Sequence, residues 1–217
     1  MTLPQISSYE PPRLTEIPPS RADWQFRPDR AALLVHDMQA YFCRPFPPDA
    51  QPLAGLITQI ARLLDAARAA GMPVFYTAQT GDQFPADRGL QADLWGPGMR
   101  ATPEHEAILP QLAPQHGDHC LVKHRYSAFQ RSNLSTLMRA RGRDQLLITG
   151  IYAHIGCLCT AAEAFQRDIQ PFAVSDAQAD FDLARHRMAM AWIAGCSGVV
   201  TDTAHTLTAI MGSANAA

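Results

Sequence analysis

The stretch AALLVHDMQ, residues 31–39, decides the fold. Its first six residues are almost wholly apolar and too few to form a one-faced helix, which makes AALLVH a short strand covered on both sides. Downstream, Leu53, Leu56, Ile57, Ile60, Leu63, Leu64 and Ala67 recur at the three- and four-residue spacing of a single helix face, and Gly71 follows as a stop. A buried strand leading into a one-faced helix is the repeating unit of a parallel α/β sheet.

The same alternation runs on through strand-like VFYTAQ (74–79), CLVKH (120–124), QLLITGIY (145–152), PFAVSDA (171–177) and GVVTD (198–202). Helix-like segments near 103–109, 131–142, 157–168 and 182–195 separate them. Together these predict a three-layer αβα sandwich with a six-stranded, mostly parallel sheet. Nothing from residue 31 to residue 217 has the composition of a linker, so this span reads as a single domain. The first thirty residues hold six of the 17 prolines and little periodicity; they read as an extended arm laid over that domain.

Composition narrows the partner. With 47% hydrophobic and 18% charged residues and a formal net charge of -2, the chain exerts no global pull on nucleic acid or an anionic membrane, which leaves a small molecule. The N-terminus lacks a basic start followed by an apolar run, and no apolar stretch is long enough to span a bilayer, so the chain reads as cytoplasmic. Five cysteines, an odd number without paired spacing, argue for reduced thiols and against a disulfide framework.

In open parallel sheets the ligand sits beyond the carboxyl ends of the strands, near the point where strand order reverses. That rule selects Asp37 after the first strand, Gln79 after the second, Lys123 at the end of the third, and residues 150–156 after the fourth. Neither G-x-G-x-x-G nor G-x-x-x-x-G-K-[ST] is present, so no dinucleotide or nucleotide-phosphate site is indicated.

AALLVHDMQAYF (31–42), TAQ (77–79), WGPGM (95–99), LVKHRYSAF (121–129), ITGIYAHIGCLCTA (148–161) and AFQRDIQPFAVSDAQADF (164–181) together resemble the isochorismatase family of α/β hydrolases. Within it they are similar to the vinyl-ether hydrolases of isochorismate and 2-amino-2-deoxyisochorismate. The wider family includes amidohydrolases with an Asp, Lys, Cys triad, whose cysteine lies six residues after the glycine that ends the fourth strand. Counted from Gly150, that position is Gly156, so the nucleophile's place is empty. Cys157 comes one residue later, where a helical step of about 100° turns its side chain away.

The resemblance thus implies a site without a thiol, built on Asp37 and Lys123 with Gly156 as the vacated position. An enol ether needs no attack on a carbonyl: protonating its methylene carbon gives an oxocarbenium ion that water can trap. Asp37 is the expected general acid and Lys123 the ammonium that binds substrate and tunes it. The resemblance further implies that Gln79, Arg88 and the backbone at Tyr152 and Gly156 hold the carboxylates and ring hydroxyls of a dicarboxylate substrate. Phe42, Trp95 and Tyr126 would form apolar walls, with room over Gly156 for the pyruvyl group. A cis peptide between Ile151 and Tyr152, a homodimer, and a reaction needing neither metal nor cofactor complete the expectation.

Other readings compete with these. His154, Cys157 and Cys159 are closely spaced, but three ligands within six residues of a starting helix seldom share one face, which argues against a metal site. His36 alternates away from Asp37 along the strand and reads as a core histidine with a backbone partner. A thiol amidohydrolase using Cys157 and a non-catalytic member of a biosynthetic assembly are the rival functions. The chain ends at AIMGSANAA without a D-S-L-like serine, so no aryl carrier domain is expected.

Overall fold

The computed structural model describes residues 3–214, with side chains to residue 212. The first two residues of the expected arm and the last three of the expected domain lie outside this range. In chain order the regular elements are β1 (Ala31–His36), α1 (Ala40–Cys43), α2 (Leu53–Ala69), β2 (Val74–Ala78), α3 (Pro85–Arg88), α4 (Gln91–Trp95), α5 (Pro103–Glu106), β3 (His119–Val122), α6 (Leu134–Ala140), β4 (Gln145–Ile151), α7 (Leu158–Gln166), β5 (Gln170–Ala179), α8 (Leu183–Cys196), β6 (Val199–Thr201) and α9 (Thr203–Ala214). A single π-helical turn, Ala153–Cys157, links β4 to α7.

The six strands form one sheet in the order β3-β2-β1-β4-β5-β6, and every pair is parallel. Successive residues of β1 point to opposite faces. Leu33 and Val35 pack with Leu56, Ile60 and Leu63 of α2 and Ile210 of α9. Ala32 and Leu34 face Met138 of α6, Cys157 and Ala161 beside α7, and Met190 and Ile193 of α8. Two apolar faces on one sheet account for the near-continuous hydrophobicity of its strands.

The chain builds β1, β2 and β3 outward on one side, then crosses back to lay β4 against the other side of β1. A crevice therefore opens above the carboxyl ends of β1 and β4. There, His36 is in register with Gly150 of β4 and Thr77 of β2. Gly150 has φ 107, and a Cβ built on it would lie 2.2 Å from the His36 carbonyl oxygen, so the two backbones approach this closely only because position 150 lacks a side chain. Between β4 and β5 the register shifts, with two steps along β4 (Ile148 to Gly150) matched by five along β5 (Ala173 to Gln178).

The N-terminal segment is tied to the sheet's flanks. Ile6 and Ile17 are buried, one in each apolar layer, and the Ile6 and Tyr9 amides donate to the carbonyls of Pro45 and Gln51. The Tyr9 hydroxyl accepts from the Asp180 amide at 2.7 Å. Four elements without a sequence signature also form: α1, α3 and α4 are too short to show periodicity, and α9 interrupts its apolar positions with Thr203, Thr206 and Thr208.

Candidate active site

Asp37 leaves β1 with φ 50, a left-handed conformation that aspartate tolerates better than most residues. This turn lifts its carboxylate over the end of the sheet. Oδ1 accepts from the Thr77 hydroxyl at 2.6 Å, and Oδ2 accepts from Lys123 Nζ at 2.8 Å and from Gln79 Nε2 at 3.3 Å. Lys123 is 1% exposed and Asp37 5%, so the pair is removed from solvent. A second donation from Lys123 Nζ to the Arg125 carbonyl, at 2.8 Å, fixes the ammonium.

Burial pushes the Asp37 carboxyl up, but the Lys123 ammonium, the His36 ring and the hydrogen bonds from Lys123 and Thr77 together hold it below its ordinary value. His36 moves the other way: burial lowers its affinity for a proton. Burial lowers the proton affinity of Arg88 as well, against the pull of Tyr41 and Tyr126, and raises the Tyr152 hydroxyl far above its usual range. A desolvated guanidinium and a desolvated ammonium that line one cavity favour anionic ligands there.

All nine residues selected from the sequence (Asp37, Phe42, Gln79, Arg88, Trp95, Lys123, Tyr126, Tyr152 and Gly156) line one cavity at the crevice. Arg88 ends α3 and is buried, with Nε donating to the Gly96 carbonyl at 2.6 Å. Gly98 makes room for it, since a Cβ there would lie 2.8 Å from the guanidinium carbon. Trp95 Nε1 donates to the Tyr126 hydroxyl at 2.7 Å, and Tyr152 donates to the Phe42 carbonyl at 2.6 Å, so the aromatic walls are held by their polar ends. The Ile151–Tyr152 peptide is cis, as the resemblance implied.

Several residues that shape the site carried no separate signal. Phe181, following β5, packs its ring 4.4 Å from that of Tyr152 and closes the cavity's far wall. Gln39, fully buried, exchanges hydrogen bonds with the backbone of Gln79, donating at 2.8 Å and accepting at 2.7 Å. The string HDMQ pointed at its neighbourhood but not at this bracing role. His36 is buried against the backbone carbonyls of Ile151 and Tyr126, as expected of a core histidine with a backbone partner, and it lines the cavity as well. The correction is to its direction: the turn at Asp37 ends the strand alternation, and Nδ1 stands 3.8 Å from Asp37 Oδ1.

A second correction concerns Gly156. The space above it is taken by the His36 imidazole, whose Cε1 would lie 2.2 Å from an added Cβ, and so is not open for a pyruvyl group. Cys157 is fully buried beneath α7 and does not line the cavity, and burial pushes its thiol well above the ordinary range. His154 is engaged by Asp180, through its amide at 2.6 Å and its ring Nδ1 at 2.5 Å. The three residues with metal-like spacing therefore do not converge.

A doubly wound parallel sheet with a buried acid and ammonium at its switch point is the site architecture of an α/β enzyme that takes a small ligand. The isochorismatase domain model matches residues 31–205, and the chain belongs to the isochorismatase family. It is 49% identical to the isochorismatase of Bacillus subtilis (strain 168) over 205 residues, which is 94% of this chain and 66% of that protein. It is 48% identical to the phenazine biosynthesis protein PhzD1 of Pseudomonas aeruginosa over 200 residues, 92% of this chain and 96% of that one. Among solved structures, a cysteine hydrolase from Pseudomonas syringae pv. phaseolicola 1448A superposes with a TM-score of 0.80 at 31% identity, covering 90% of this chain and 98% of the other.

Proposed function

We propose that this protein hydrolyses the enolpyruvyl ether of isochorismate, releasing pyruvate and 2,3-dihydro-2,3-dihydroxybenzoate. The observation that carries the reading is the Asp37–Lys123 pair, 2.8 Å apart and facing a cavity whose lining includes no thiol. A vinyl ether is activated by a proton on carbon, and a buried carboxyl group is a suitable source.

Without substrate, Lys123 keeps Asp37 ionised. The substrate's carboxylates draw the ammonium and the Arg88 guanidinium to themselves, and burial then favours the neutral acid. Asp37 transfers its proton to the methylene carbon, forming the methyl group and an oxocarbenium ion. Water adds to the cation and gives up a proton to the Asp37 carboxylate. Collapse of the hemiketal breaks the bond between the pyruvyl carbon and the ring oxygen. One water is consumed and the acid is restored. Gln79 orients the carboxyl group, and the walls formed by Phe42, Trp95 and Tyr126 hold the ring.

A second reading, supported by the likeness to PhzD1, takes 2-amino-2-deoxyisochorismate and yields trans-2,3-dihydro-3-hydroxyanthranilate by the same steps. Both substrates share the vinyl ether and both carboxylates. Siderophore or phenazine biosynthesis is the corresponding setting. Residues 31–217 act as one catalytic unit, a reading supported by the single sheet that runs from Ala31 to Thr201; the protein is cytoplasmic and works as a homodimer, the last supported by family resemblance. Among the described residues no helix is long and apolar enough to cross a membrane.

Each substrate is incubated with the protein while pyruvate is coupled to lactate dehydrogenase. Release from isochorismate is the expected result; release from the amino analogue alone selects the second reading. Release from neither removes both readings.

A further inference from the structure

His36 is held on three sides. Its backbone lies against Gly150, and its ring against Gly156, where Cε1, Nε2 and Nδ1 would stand 2.2, 2.8 and 2.9 Å from a Cβ at position 156. The ring nitrogens face two backbone carbonyls, Nδ1 at 2.9 Å from Ile151 O and Nε2 at 3.2 Å from Tyr126 O. With 1% of the residue exposed, the imidazole is sealed from solvent, and it stands between these carbonyls, the backbone of Gly156 and the cavity that it lines.

We infer that His36 is a positioning and specificity-determining residue of this site: its imidazole occupies the volume that any side chain at position 156 would need, and ties together the two segments that carry Lys123 and Tyr152. The inference rests on the hydrolytic reading above. Glycine at 156 alone would leave a hole at the end of β4, open to water and to rearrangement. With the ring in that hole, the floor of the cavity is solid and bears no nucleophile, and proton transfer from Asp37 is the chemistry left to the site. The carbonyl contacts give the ring its second effect. Ile151 precedes Tyr152, and Tyr126 follows the Arg125 carbonyl that fixes Lys123; the neutral ring donates to one of these carbonyls and packs against the other, and so sets the spacing of the two segments.

Volume and bracing are separable by substitution. In His36→Asn the amide nitrogen takes the place of Nδ1 toward the Ile151 carbonyl, while the atoms corresponding to Cε1 and Nε2 are removed. Gly156→Ala adds the smallest side chain to the contested space. Pyruvate release from isochorismate is measured for wild type, both single variants and the double variant, with melting midpoints alongside. Gly156→Ala is expected to lose about tenfold or more in kcat, because the methyl group meets the ring and displaces it from between the two carbonyls toward the cavity. His36→Asn is expected to lower kcat while KM stays within a few-fold, since the Arg88 guanidinium is anchored by Gly96 and not by His36. In the double variant the losses do not multiply: kcat recovers roughly several-fold over Gly156→Ala, as expected for residues competing for one volume.

Losses that multiply, with melting midpoints that shift additively, overturn the inference while leaving the function intact. A wild type that releases no pyruvate overturns the function itself, so the two failures are distinct. Should Gly156→Ala not fold, recovery of folded protein by adding His36→Asn reads the same competition, and no recovery overturns it. An equal rise in KM and fall in kcat for His36→Asn would reduce the residue to a structural part.

Discussion

Lys123 Nζ lies 2.8 Å from Asp37 Oδ2 in a space closed to solvent, and the lysine donates as well to the Arg125 carbonyl. A buried ion pair is weak evidence for stability, because desolvation of both partners offsets their attraction. Its value here is chemical: the ammonium sets when the carboxyl group holds a proton.

Lys123→Ala therefore alters two things at once. The ammonium that holds Asp37 below its ordinary value is gone while the burial that raises it remains, so the acid titrates at higher pH. Affinity for the dicarboxylate also falls. The pH profile of kcat/KM should move its acid-dependent limb upward, with KM raised; turnover lost at unchanged KM would count against a binding role for the lysine.

Thr77→Val keeps the shape of the residue but removes the hydroxyl that donates to Asp37 Oδ1 at 2.6 Å. A hydrogen bond to a charged group contributes about 1.5–3 kcal/mol, so the carboxyl group should again bind its proton more readily. Substrate affinity should hold, because Thr77 does not line the cavity. The check is the same pH profile, in which an unshifted acid limb would show that the bond does not tune Asp37.

The thiols should prove dispensable. Cys157→Ala removes a buried sulfur and Cys159→Ala a half-buried one, so each should leave turnover within a few-fold of wild type. Cys157→Ala should cost about 1 kcal/mol of stability, as a small cavity in a packed layer does. A Cys157→Ala protein that stays folded by circular dichroism yet releases no pyruvate would restore the thiol reading.

Stability should fall in mild acid through His186. This residue is fully buried, and burial pushes its pKa down to about 4. The unfolded chain takes up this proton below the ordinary histidine value of ~6.5, whereas the folded chain does not until the lower one. The unfolded state thus binds more protons between them, and stability drops as pH falls through that window, by up to about 3 kcal/mol. Urea unfolding at several pH values should show the slope in wild type and a shallower one in His186→Gln; equal slopes would place the effect elsewhere.

The sheet was legible in the sequence wherever burial is two-sided. β1 and β4 read as mostly apolar runs because both of their faces are covered. The end of β5 was cut short at residue 177, since its register shift against β4 adds Gln178 and Ala179 without an apolar signal. The nine site residues were found because strand ends and family motifs both marked them. Phe181 and His36 were not, and for different reasons. Phe181 follows the end of β5 and meets Tyr152 across the cavity, a contact between distant segments that no local pattern encodes. His36 is legible as a buried histidine with a backbone partner, but not as a neighbour of the acid, because Asp37 turns out of the strand with φ 50 and ends the alternation. What position 156 lacks could be read from the chain, but what fills the gap is a contact between residues 120 apart in sequence.

Asp37→Asn tests the central claim most directly. Asparagine keeps the size of the side chain and its contact with Thr77 but has no proton to give to carbon. Pyruvate release from isochorismate at saturating substrate should fall by at least the general-acid factor of ~10²–10⁴, with substrate affinity largely kept. Turnover close to wild type in a folded Asp37→Asn protein would contradict the account.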